Sequence, residues 1–299
     1  MRENETRDHQ REIMILNRAL QSADGILVGA GAGMSTSAGF LYEGPRFTSV
    51  YPDFIEKYGF TDYYSAGFYP FPSLEEYWAF WSRMILVNRY DLPIGKPYED
   101  LLTLLNGRNY FVITTNVDHR FQAAGIDKER LFYTQGDYGL LQCPIPCHPK
   151  TYDNEQLIRR MVAEQRGMKI PTDLIPHCPR CNAPMTTNLR SDDRFVEDEG
   201  WHSAKGRYVE FVESNREKAV LFLELGVGYN TPGIIKYPFM KMTAAMPKSQ
   251  YISINPNHGR LLPEIEDRSL LIQEDIGIVL STLLEYNEIY ASKGSADIK

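Results

Sequence analysis

Short apolar runs, each followed by small or polar residues, recur along the chain and mark its predicted strands. In the first run, residues 26–28 are Ile, Leu and Val, and glycines follow directly. Runs of this kind, bounded by turn residues, are typical of buried strands. Six strands are predicted, at residues 26–28, 110–114, 131–133, 220–225, 251–254 and 270–272.

Helical periodicity occupies several of the intervals between these strands. Ile13, Leu16 and Leu20 recur at helical spacing within residues 8–22, and a terminal helix is predicted over residues 276–290. Strands that alternate with helices and end in small or polar residues predict an α/β fold with a doubly wound parallel sheet.

Aromatic residues are concentrated in three stretches between the first two strands. The apolar positions of residues 74–85 lie on one helical face, which we expect to be core. Residues 51–71 show no steady period. Residues 40–47 mix turn residues with aromatics, so we expect them to form a mobile loop over a site.

The turn after the first strand has the sequence G-A-G-A-G-M-S, residues 29–35. Glycine lets a backbone turn sharply and approach a pyrophosphate without a Cβ in the way. Ser35 is placed to help start a helix, whose N-terminal N–H groups can bind anionic oxygens. The turn therefore favours phosphate binding, and a tight strand-to-helix turn in an ordinary α/β domain is the alternative.

Composition narrows the possible classes of function. The 299 residues are 43% hydrophobic, enough for one large domain or for one core with a smaller module. A net charge of −7 and a pI near 5.5 argue against a nucleic-acid surface, which needs a basic stripe. No apolar run approaches the roughly 20 residues that span a bilayer, and the N-terminus lacks an apolar signal region. We therefore expect a cytoplasmic protein with no nucleic-acid or membrane partner.

All four cysteines lie in a polar segment, residues 138–207, that interrupts the strand–helix pattern. Two close pairs, each near a proline-containing turn, can present four thiolates to one tetrahedral Zn²⁺, which would then be structural. His148 and His177 flank the cysteines and could substitute as ligands, and a helix is predicted over residues 156–165. Four unrelated buried thiols are the alternative. The predicted metal ligands are Cys143, Cys147, Cys178 and Cys181.

Polar residues follow the second and third strands directly. Asn116 and Asp118 come after residues 110–114, and Gln135 comes after residues 131–133. In an open α/β sheet, such positions lie in the ligand crevice. Asn116 and Asp118 are also placed to cap a helix, which is compatible with ligand contact.

Taken in order, these motifs resemble those of the sirtuin family. Residues 29–35 resemble the family's G-A-G-x-S opening, and T-T-N-V-D at residues 114–118 is similar to its T-Q-N-I-D segment. The cysteine pairs, the Gly226 turn and the Ile254–Asn255 step follow in the family's order. The resemblance covers most of the chain and is specific as an ordered set.

The resemblance implies a Rossmann-like NAD-binding domain formed by residues 1–137 and 208–299, with a small zinc-binding domain inserted at residues 138–207. NAD⁺ would be consumed as a substrate, with release of nicotinamide and transfer of ADP-ribose. The catalytic residues implied are Asn116, Asp118 and Gln135. The implied NAD-binding residues are Gly29, Ala30, Gly31, Ser35, Asn116, Asp118, Gln135, Gly226, Val227, Asn255 and Asp275.

Individual roles follow from the same resemblance. Ala30 and Gly31, with Gly226 and Val227, would cradle the pyrophosphate. Asn116 would hydrogen-bond the nicotinamide ribose and Asp118 the nicotinamide amide, while Gln135 would face the ribose hydroxyls. Asn255 and Asp275 would approach the adenosine end, and a helix cap or turn is an almost equal alternative for both. The residues concerned, in chain order, are Ala30, Gly31, Asn116, Asp118, Gln135, Gly226, Val227, Asn255 and Asp275.

The chain departs from the family pattern at three places. The family's catalytic His-Gly is Gln135-Gly136 here, its T-Q-N-I-D glutamine is Thr115, and its P-D-F-R loop is replaced by residues 42–47. A glutamine can hydrogen-bond but cannot take up a proton near neutral pH. Because a positioned base contributes about 10²–10⁴-fold, efficient deacylation should be lost, whereas glycosidic cleavage depends on charge stabilisation and positioning.

The combination of T-T-N-V-D with Q-G resembles the microbial class M sirtuins that accompany macrodomain proteins. This resemblance implies protein mono-ADP-ribosylation, a lipoylated glycine-cleavage H-like carrier protein as acceptor, and a functional link to a macrodomain hydrolase. The alternatives are an NAD-dependent deacylase (a deacetylase or delipoylase) in which another group replaces the missing histidine, and an inactive NAD or ADP-ribose sensor.

Three further residues that can carry a positive charge are candidates for a role in the site. Arg190 and Arg194 could stabilise the acceptor, but we expect a solvated charged face. His119 follows Asp118 directly, and at a helix start we expect it to point away from the site.

Overall fold

The computed structural model describes residues 2–229, 232–257 and 259–294. Its main sheet has six parallel strands in the order β3-β2-β1-β7-β8-β9. The strands are β1 (Gly25–Ala30), β2 (Tyr110–Thr114), β3 (Leu131–Tyr133), β7 (Val220–Leu225), β8 (Gln250–Ile254) and β9 (Ser269–Ile272). All six predicted strands and the predicted parallel sheet are confirmed.

Three further strands form a separate antiparallel sheet in the order β5-β4-β6. They are β4 (Gly136–Gln142), β5 (Tyr152–Asp153) and β6 (Thr186–Leu189). β4 begins three residues after the end of β3, so the small sheet starts directly at the edge of the large one.

Helices cover both faces of the main sheet. The α-helices are α1 (Arg2–Ser22), α2 (Ala32–Ser37), α3 (Pro45–Thr48), α4 (Pro52–Tyr58), α5 (Tyr63–Gly67), α6 (Leu74–Ile85), α7 (Lys96–Leu105), α8 (Arg120–Ala123), α9 (Glu155–Glu164), α10 (Glu199–Ser214), α11 (Lys236–Ala245) and α12 (Ile276–Gly294). A π-helical turn, Leu86–Tyr90, continues α6. The predicted helices at residues 8–22, 156–165 and 276–290 correspond to α1, α9 and α12.

The core divides according to the two faces of the sheet. Ile26 and Val28 on β1 pack with residues of α1, α7 and α12, whereas Leu27 packs with residues of α10 and α11. This alternation follows from the period of two along a strand. A sheet covered on both faces explains why its strands are almost uniformly apolar.

A third hydrophobic cluster joins α3–α6 to the segment that carries the cysteines. Trp78 and Phe80 of α6 belong to the same cluster as Ile158 of α9 and the cysteines Cys143 and Cys178. The small module therefore receives its core from two segments of the chain, whereas the sequence pattern assigned residues 45–90 to the NAD-binding domain. At its other boundary, α10 packs on β2 and β3 through Trp201 and Ala204, although the predicted small domain extended to residue 207.

Two local predictions are wrong. Residues 40–47 are not a loop throughout: α3 begins at Pro45, Phe47 is completely buried, and Arg46 donates to Asn88 Oδ1 at 2.7 Å. Ser35 does not start α2, because that helix begins at Ala32 with Gly31 as its N-cap. The aromatic face of residues 74–85 is core, as predicted, apart from the exposed Leu74.

Candidate active site at the carboxyl edge of the sheet

The chain order of the main sheet places a crevice between β1 and β7. From β1 the chain proceeds to β2 and β3 on one side, and β7, β8 and β9 lie on the other. Ligands of open α/β sheets bind outside the carboxyl ends of the strands at such a switch point. The predicted site residues follow the ends of β1, β2, β3, β7, β8 and β9, so they share this edge.

Two glycine turns contact each other at the switch point. Gly33 N donates to Gly226 O at 3.0 Å, and a Cβ added to Gly33 would lie 2.6 Å from Gly226 Cα. Gly226 itself has a φ of +60°. A Cβ on Gly31 would lie 2.8 Å from Gly226 O. Only glycine fits this crossing, because a methyl group at any of the three positions would overlap backbone atoms.

The same contacts limit what individual residues of the turns can offer a ligand. Gly31 N already donates to Leu225 O at 3.0 Å, so a phosphate contact from this turn needs another donor. Gly29 lies within β1, where a Cβ would meet Ile235 and Phe239 of the neighbouring helix. Its glycine is therefore explained by packing. Ala30 and Val227 are both buried.

A buried hydrogen-bond network occupies the start of the crevice on the β2 side. Ser35 Oγ donates to Asp118 Oδ2 at 2.5 Å, and it lies 2.8 Å from the hydroxyl of Tyr98. Asn116 Nδ2 donates to Gly31 O at 3.0 Å and to Ser35 Oγ at 3.2 Å. The network joins Asn116, Asp118 and Ser35, three of the predicted site residues, across about 80 positions of sequence.

Proton positions in this network follow from the groups themselves. Burial raises the pKa of Asp118 against the opposing hydrogen bonds of Ser35 and the Arg120 amide. Burial also raises the pKa of Tyr98 well above its ordinary value, so its hydroxyl stays protonated. Because the Ser35 proton points to Asp118, Tyr98 donates to Ser35. The side chain of Asn116 is thereby fixed through Ser35, with its oxygen left free of these bonds.

Gln135 ends the β3 side of the crevice. Its side chain is half-buried, and its carbonyl oxygen accepts from Arg190 N at 3.0 Å. The next residue, Gly136, has a φ of +92°, and a Cβ there would lie 1.9 Å from Asn188 O. This glycine is obligatory, and it turns the chain from the large sheet into β4.

His119 pairs with Asp137, a contact that the sequence analysis did not predict. Its Nδ1 lies 2.5 Å from Oδ2 of Asp137, while Oδ1 of Asp137 accepts from Arg89 Nε at 2.8 Å. His119 has a φ of +64°, which is uncommon for a residue other than glycine. The sequence contained one usable signal: His119 and Asp137 follow the ends of neighbouring strands.

The predicted adenosine-end residues make structural contacts. Asn255 Nδ2 donates to Val227 O at 3.2 Å, which ties the end of β8 to the β7 turn. Asp275 Oδ1 accepts from Ser37 Oγ at 2.9 Å and from Ile278 N at 3.2 Å, so it caps the start of α12 and anchors α2. The cap alternative raised from the sequence thus describes Asp275, and its ligand role stays a prediction.

Sequence reasoning missed a buried ionic network behind the β7 turn. Glu224 is fully buried in β7 and forms an ion pair with the buried Lys236. It also accepts from Tyr251 Oη at 2.6 Å and from Ser253 Oγ at 3.1 Å. A buried carboxylate needs such partners, and these come from α11 and β8. The network fixes the strand that carries Gly226.

The four cysteines converge to a single cluster. Their Sγ atoms all lie within 4.8 Å of one another, with Cys143 and Cys181 at 3.5 Å and Cys147 and Cys178 at 3.6 Å. Tetrahedral zinc with Zn–S bonds of about 2.3 Å requires sulfurs roughly 3.8 Å apart, so the cluster fits the ion. His148 Nε2 lies 3.4 Å from Cys178 Sγ, outside the four-sulfur set.

The two candidate arginines, Arg190 and Arg194, form ion pairs with nearby carboxylates. Arg194 is exposed and pairs with Asp192. Arg190 pairs with Glu197, and its guanidinium stacks over the rings of Phe195 and Trp201 at 4.7 and 5.4 Å from their centroids. Both arginines are exposed and ion-paired, as the predicted solvated face requires, and Arg190 also covers aromatic rings beside Gln135.

Comparisons with solved structures recover sirtuins. A Sir2 protein in complex with a p53 peptide and NAD⁺ covers 91% of this chain and 97% of its own, with 20% identity and a TM-score of 0.52. Sir2Tm bound to a propionylated peptide covers 93% of this chain and 99% of its own, with 18% identity and a TM-score of 0.55. This likeness shows the fold.

Comparisons with characterised sequences are more specific. No protein-family model matches the chain. A protein ADP-ribosyltransferase from Staphylococcus aureus is 44% identical over 92% of this chain and 87% of its own length. A probable bifunctional ADP-ribose hydrolase/ADP-ribosyltransferase from Fusarium oxysporum is 32% identical over 92% of this chain. The match spans 48% of the length of that protein. The described part of the chain has no helix long and apolar enough to cross a membrane. Together with the sheet and crevice, these matches show that the chain belongs to a family of protein ADP-ribosyltransferases and has the sirtuin fold.

Proposed function

We propose that this NAD-dependent protein ADP-ribosyltransferase transfers ADP-ribose to a lipoylated glycine-cleavage H-like carrier protein. In the proposed reaction, NAD⁺ loses nicotinamide and its ADP-ribose moiety becomes attached to a nucleophilic side chain of the acceptor. The cysteine cluster would hold a structural Zn²⁺, because four thiolates leave the metal no open position.

The presence of Gln135 beside an intact polar network carries this proposal. Asn116 is oriented through Ser35 and Gly31, so the group proposed to hold the nicotinamide ribose is in place. Gln135, half-buried at the same edge, supplies an amide where the family's deacylases are expected to have an imidazole. An amide positions a hydroxyl but takes no proton near neutral pH. Cleavage of the glycosidic bond is therefore retained, and resolution of an acyl intermediate is not.

NAD⁺ would lie across the switch point of the sheet. The pyrophosphate would pass over the crossing of Gly31 and Gly226, where no side chain intervenes. The nicotinamide ribose would lie towards Asn116 and Gln135, and the adenosine towards Asn255 and Asp275. The order of the strands supports this orientation. A Sir2 protein that shares the fold was solved in complex with NAD⁺.

The acceptor and the hydrolase link rest on the resemblance to class M sirtuins. Further support comes from the Fusarium protein, whose name joins an ADP-ribose hydrolase with an ADP-ribosyltransferase. A transferase modification that a macrodomain hydrolase removes would be reversible, as regulation of a carrier protein requires.

Intact-mass spectrometry tests the proposal. The enzyme is incubated with NAD⁺ and the carrier protein, with and without its lipoyl group, and we expect one ADP-ribose added to the lipoylated form. The carrier without its lipoyl group is the matched control. Loss of an acyl or lipoyl group without added ADP-ribose would support the deacylase instead. Binding of NAD⁺ without release of nicotinamide would support the sensor.

A further inference from the structure

We propose that His119 is the general base that removes the proton from the acceptor nucleophile, and that Asp137 is the residue that positions it. This inference rests on the proposed function and deepens it. It supplies the proton acceptor that Gln135 cannot provide, from a different strand end.

The hydrogen bonds of Asp137 determine which nitrogen of His119 is free. Burial alone would raise the pKa of Asp137, but the hydrogen bond from His119 and the charge of Arg89 outweigh it and lower that pKa. An ionised carboxylate only accepts hydrogen bonds, so Nδ1 of His119 donates to it. In the neutral imidazole, Nε2 then carries the lone pair. This is the arrangement that prepares a histidine to act as a base in catalytic triads.

The carboxylate itself is held rigidly. Asp137 Oδ1 accepts from Arg89 Nε at 2.8 Å and from Gly139 N at 2.7 Å. Its side chain is 7% exposed, whereas that of His119 is 30% exposed. Within the described residues, Nε2 of His119 has no hydrogen-bond partner. A fixed carboxylate behind a partly exposed imidazole leaves Nε2 as the accessible atom.

The backbone at His119 is held in an uncommon conformation. Its φ of +64° lies in the left-handed region, where a non-glycine residue costs about 1–2 kcal/mol. Strained residues of this kind persist where the surroundings over-determine them and are concentrated at functional sites. Arg120, the next residue, is buried and donates to the carbonyl oxygens of Arg89 and Asp118 at 2.5 and 3.0 Å, which holds the segment in place.

The position of His119 matches the proposed reaction centre. It follows Asp118, whose carboxylate belongs to the network that orients Asn116. The segment after β2 runs beside the segment after β3, because Tyr138 N donates to Val117 O at 3.0 Å and Thr134 N donates to Thr114 O at 3.0 Å. His119 therefore lies on the same edge as Gln135, beside the proposed nicotinamide ribose.

The proposed step balances as a substitution at the ribose C1′ of NAD⁺. The C1′–N bond to nicotinamide breaks and its electron pair leaves with nicotinamide, which becomes neutral. A lone pair of the acceptor's N–H, O–H or S–H group forms the new bond to C1′. The proton of that group passes to Nε2 of His119 and then to solvent. No oxidant, reductant or metal takes part.

Azide separates a base from a structural residue. Azide is an anion at neutral pH and attacks C1′ without losing a proton, so its reaction needs no base. The test variant is His119→Asn, because Asn also tolerates a positive φ. We expect transfer to the carrier protein to fall about 10²–10⁴-fold, the usual contribution of a positioned base. Azide should return nicotinamide release to within about tenfold of the wild-type rate.

The control variants use the same readouts. Asp137→Asn should lose transfer and regain nicotinamide release with azide, as a positioning residue would. His202→Asn changes a histidine exposed on α10 and should leave both rates unchanged. If His119→Asn fails to fold, His119→Gly provides the second variant, since glycine adopts this φ freely, and free imidazole should restore transfer.

The outcomes separate this inference from the proposed function. Unchanged transfer in His119→Asn would overturn the role of His119. So would lost transfer in which azide restores no nicotinamide release, and in which imidazole restores no transfer to His119→Gly, although NAD⁺ still binds. If the wild-type protein modifies no carrier protein but its release of nicotinamide shows the same His119 dependence and azide recovery, the proposed acceptor fails and the base remains.

Discussion

The two halves of the crevice are stabilised by different kinds of contact. We call the β1–β7 crossing the glycine half and the β2–β3 end the polar half. At the β1–β7 crossing, backbone atoms pack against backbone atoms, with Gly33 and Gly226 in direct contact. At the β2–β3 end, the contacts are hydrogen bonds between side chains. Asn116, Asp118 and His119 are positioned by partners far away in sequence. The glycine half can shape a surface for a chain of phosphates, whereas the polar half can move protons.

The difference also predicts which property a substitution in each half should change. A substitution in the glycine half adds atoms where none fit, so it should affect stability and NAD⁺ binding together. A substitution in the polar half removes a contact without adding bulk, so it should affect the reaction more than the fold.

Among the substitutions that compare the two halves, Asn116→Ala has the largest expected effect, and that effect is on catalysis. Removing the amide that would hold the nicotinamide ribose should lower the rate of nicotinamide release by about 10²–10³-fold, as loss of one positioned polar group does elsewhere. The free energy of unfolding should fall by only about 1–2 kcal/mol, since two hydrogen bonds are lost. Steady-state kinetics and urea unfolding measure the two quantities.

The exposed Asn106 at the end of α7 provides the matched control. Asn106→Ala removes the same amide and should leave the rate of nicotinamide release unchanged. If Asn116→Ala releases nicotinamide at the wild-type rate, Asn116 is not part of the mechanism.

Removal of the proposed zinc has the next largest expected effect. We expect it to affect the polar half of the crevice and not the glycine half. β4 begins at Gly136, beside Gln135, and ends one residue before Cys143, so the cysteine cluster lies at the far end of the strand that extends from the site. Cys178→Ser should lose zinc and solubility, since four-cysteine sites contribute folding energy directly. Chelation of the proposed zinc in the wild-type protein should stop nicotinamide release but leave ADP-ribose bound at the glycine half.

Zinc analysis by mass spectrometry, with calorimetric titration of ADP-ribose, measures both effects. His148→Ala is the control, because His148 lies beside Cys178 but outside the four-sulfur set. It should retain one zinc per chain. A metal-free Cys178→Ser variant that is well folded and active would show that the cluster has no structural role.

The sequence predicted the glycine half far better than the polar half. The six apolar runs and the glycines between them are local signals, so the sheet, its parallel direction and the turn at Gly226 could be predicted from sequence. The helices of residues 45–67 could not be predicted, because their aromatic residues pack in many directions within one cluster and leave no period. Their stability comes from tertiary contacts.

The contacts of the polar half cannot be predicted from the spacing of apolar residues along the chain. Asn116 and Asp118 were predicted from their place after β2, but their link through Ser35 joins residues about 80 positions apart. The contact of His119 could not be predicted, because it depends on Asp137 and on a positive φ. Neither a carboxylate 18 residues away nor a strained backbone is encoded in a local pattern.

Gly226→Ala tests the glycine half directly. The added Cβ would lie 2.5 Å from Gly33 Cα, and the residue would keep a φ of +60°. Backbone strain of about 1–2 kcal/mol and overpacking of about 1–3 kcal/mol should both lower the free energy of unfolding, and NAD⁺ binding should weaken. Urea unfolding and calorimetric titration of NAD⁺ provide the measurements.

Gly39→Ala isolates the strain from the crowding. Gly39 has a φ of +84°, but nothing lies within 4 Å of an added Cβ. This variant should lose about 1–2 kcal/mol of stability and bind NAD⁺ as tightly as the wild-type protein. Equal losses in the two variants would mean that the crowding of the added Cβ against Gly33 costs no stability.

A smaller effect than that of Gly226→Ala is expected for the contribution of Asp137 to stability. Because its pKa is lowered in the folded state, its ionised form stabilises the fold above the unfolded pKa of about 3.9. This contribution is lost as the pH falls through the folded pKa. Asp137→Asn should therefore be about 1.5–3 kcal/mol less stable than the wild-type protein at pH 7, the usual range for hydrogen bonds to a charged group. The gap should narrow only below about pH 4.

Urea unfolding at a series of pH values measures this gap, with Asp192→Asn as the control. Asp192 pairs with Arg194 on the exposed face, where solvent screens the charges, so its replacement should not change stability measurably at any pH. A gap between Asp137→Asn and the wild-type protein that stays constant down to pH 3 would mean that the carboxylate acts by its shape and not by its charge. The imidazole of His119 would then lack the ionised partner that fixes its Nδ1 proton, and the polar half would lose the feature that most distinguishes it from the glycine half.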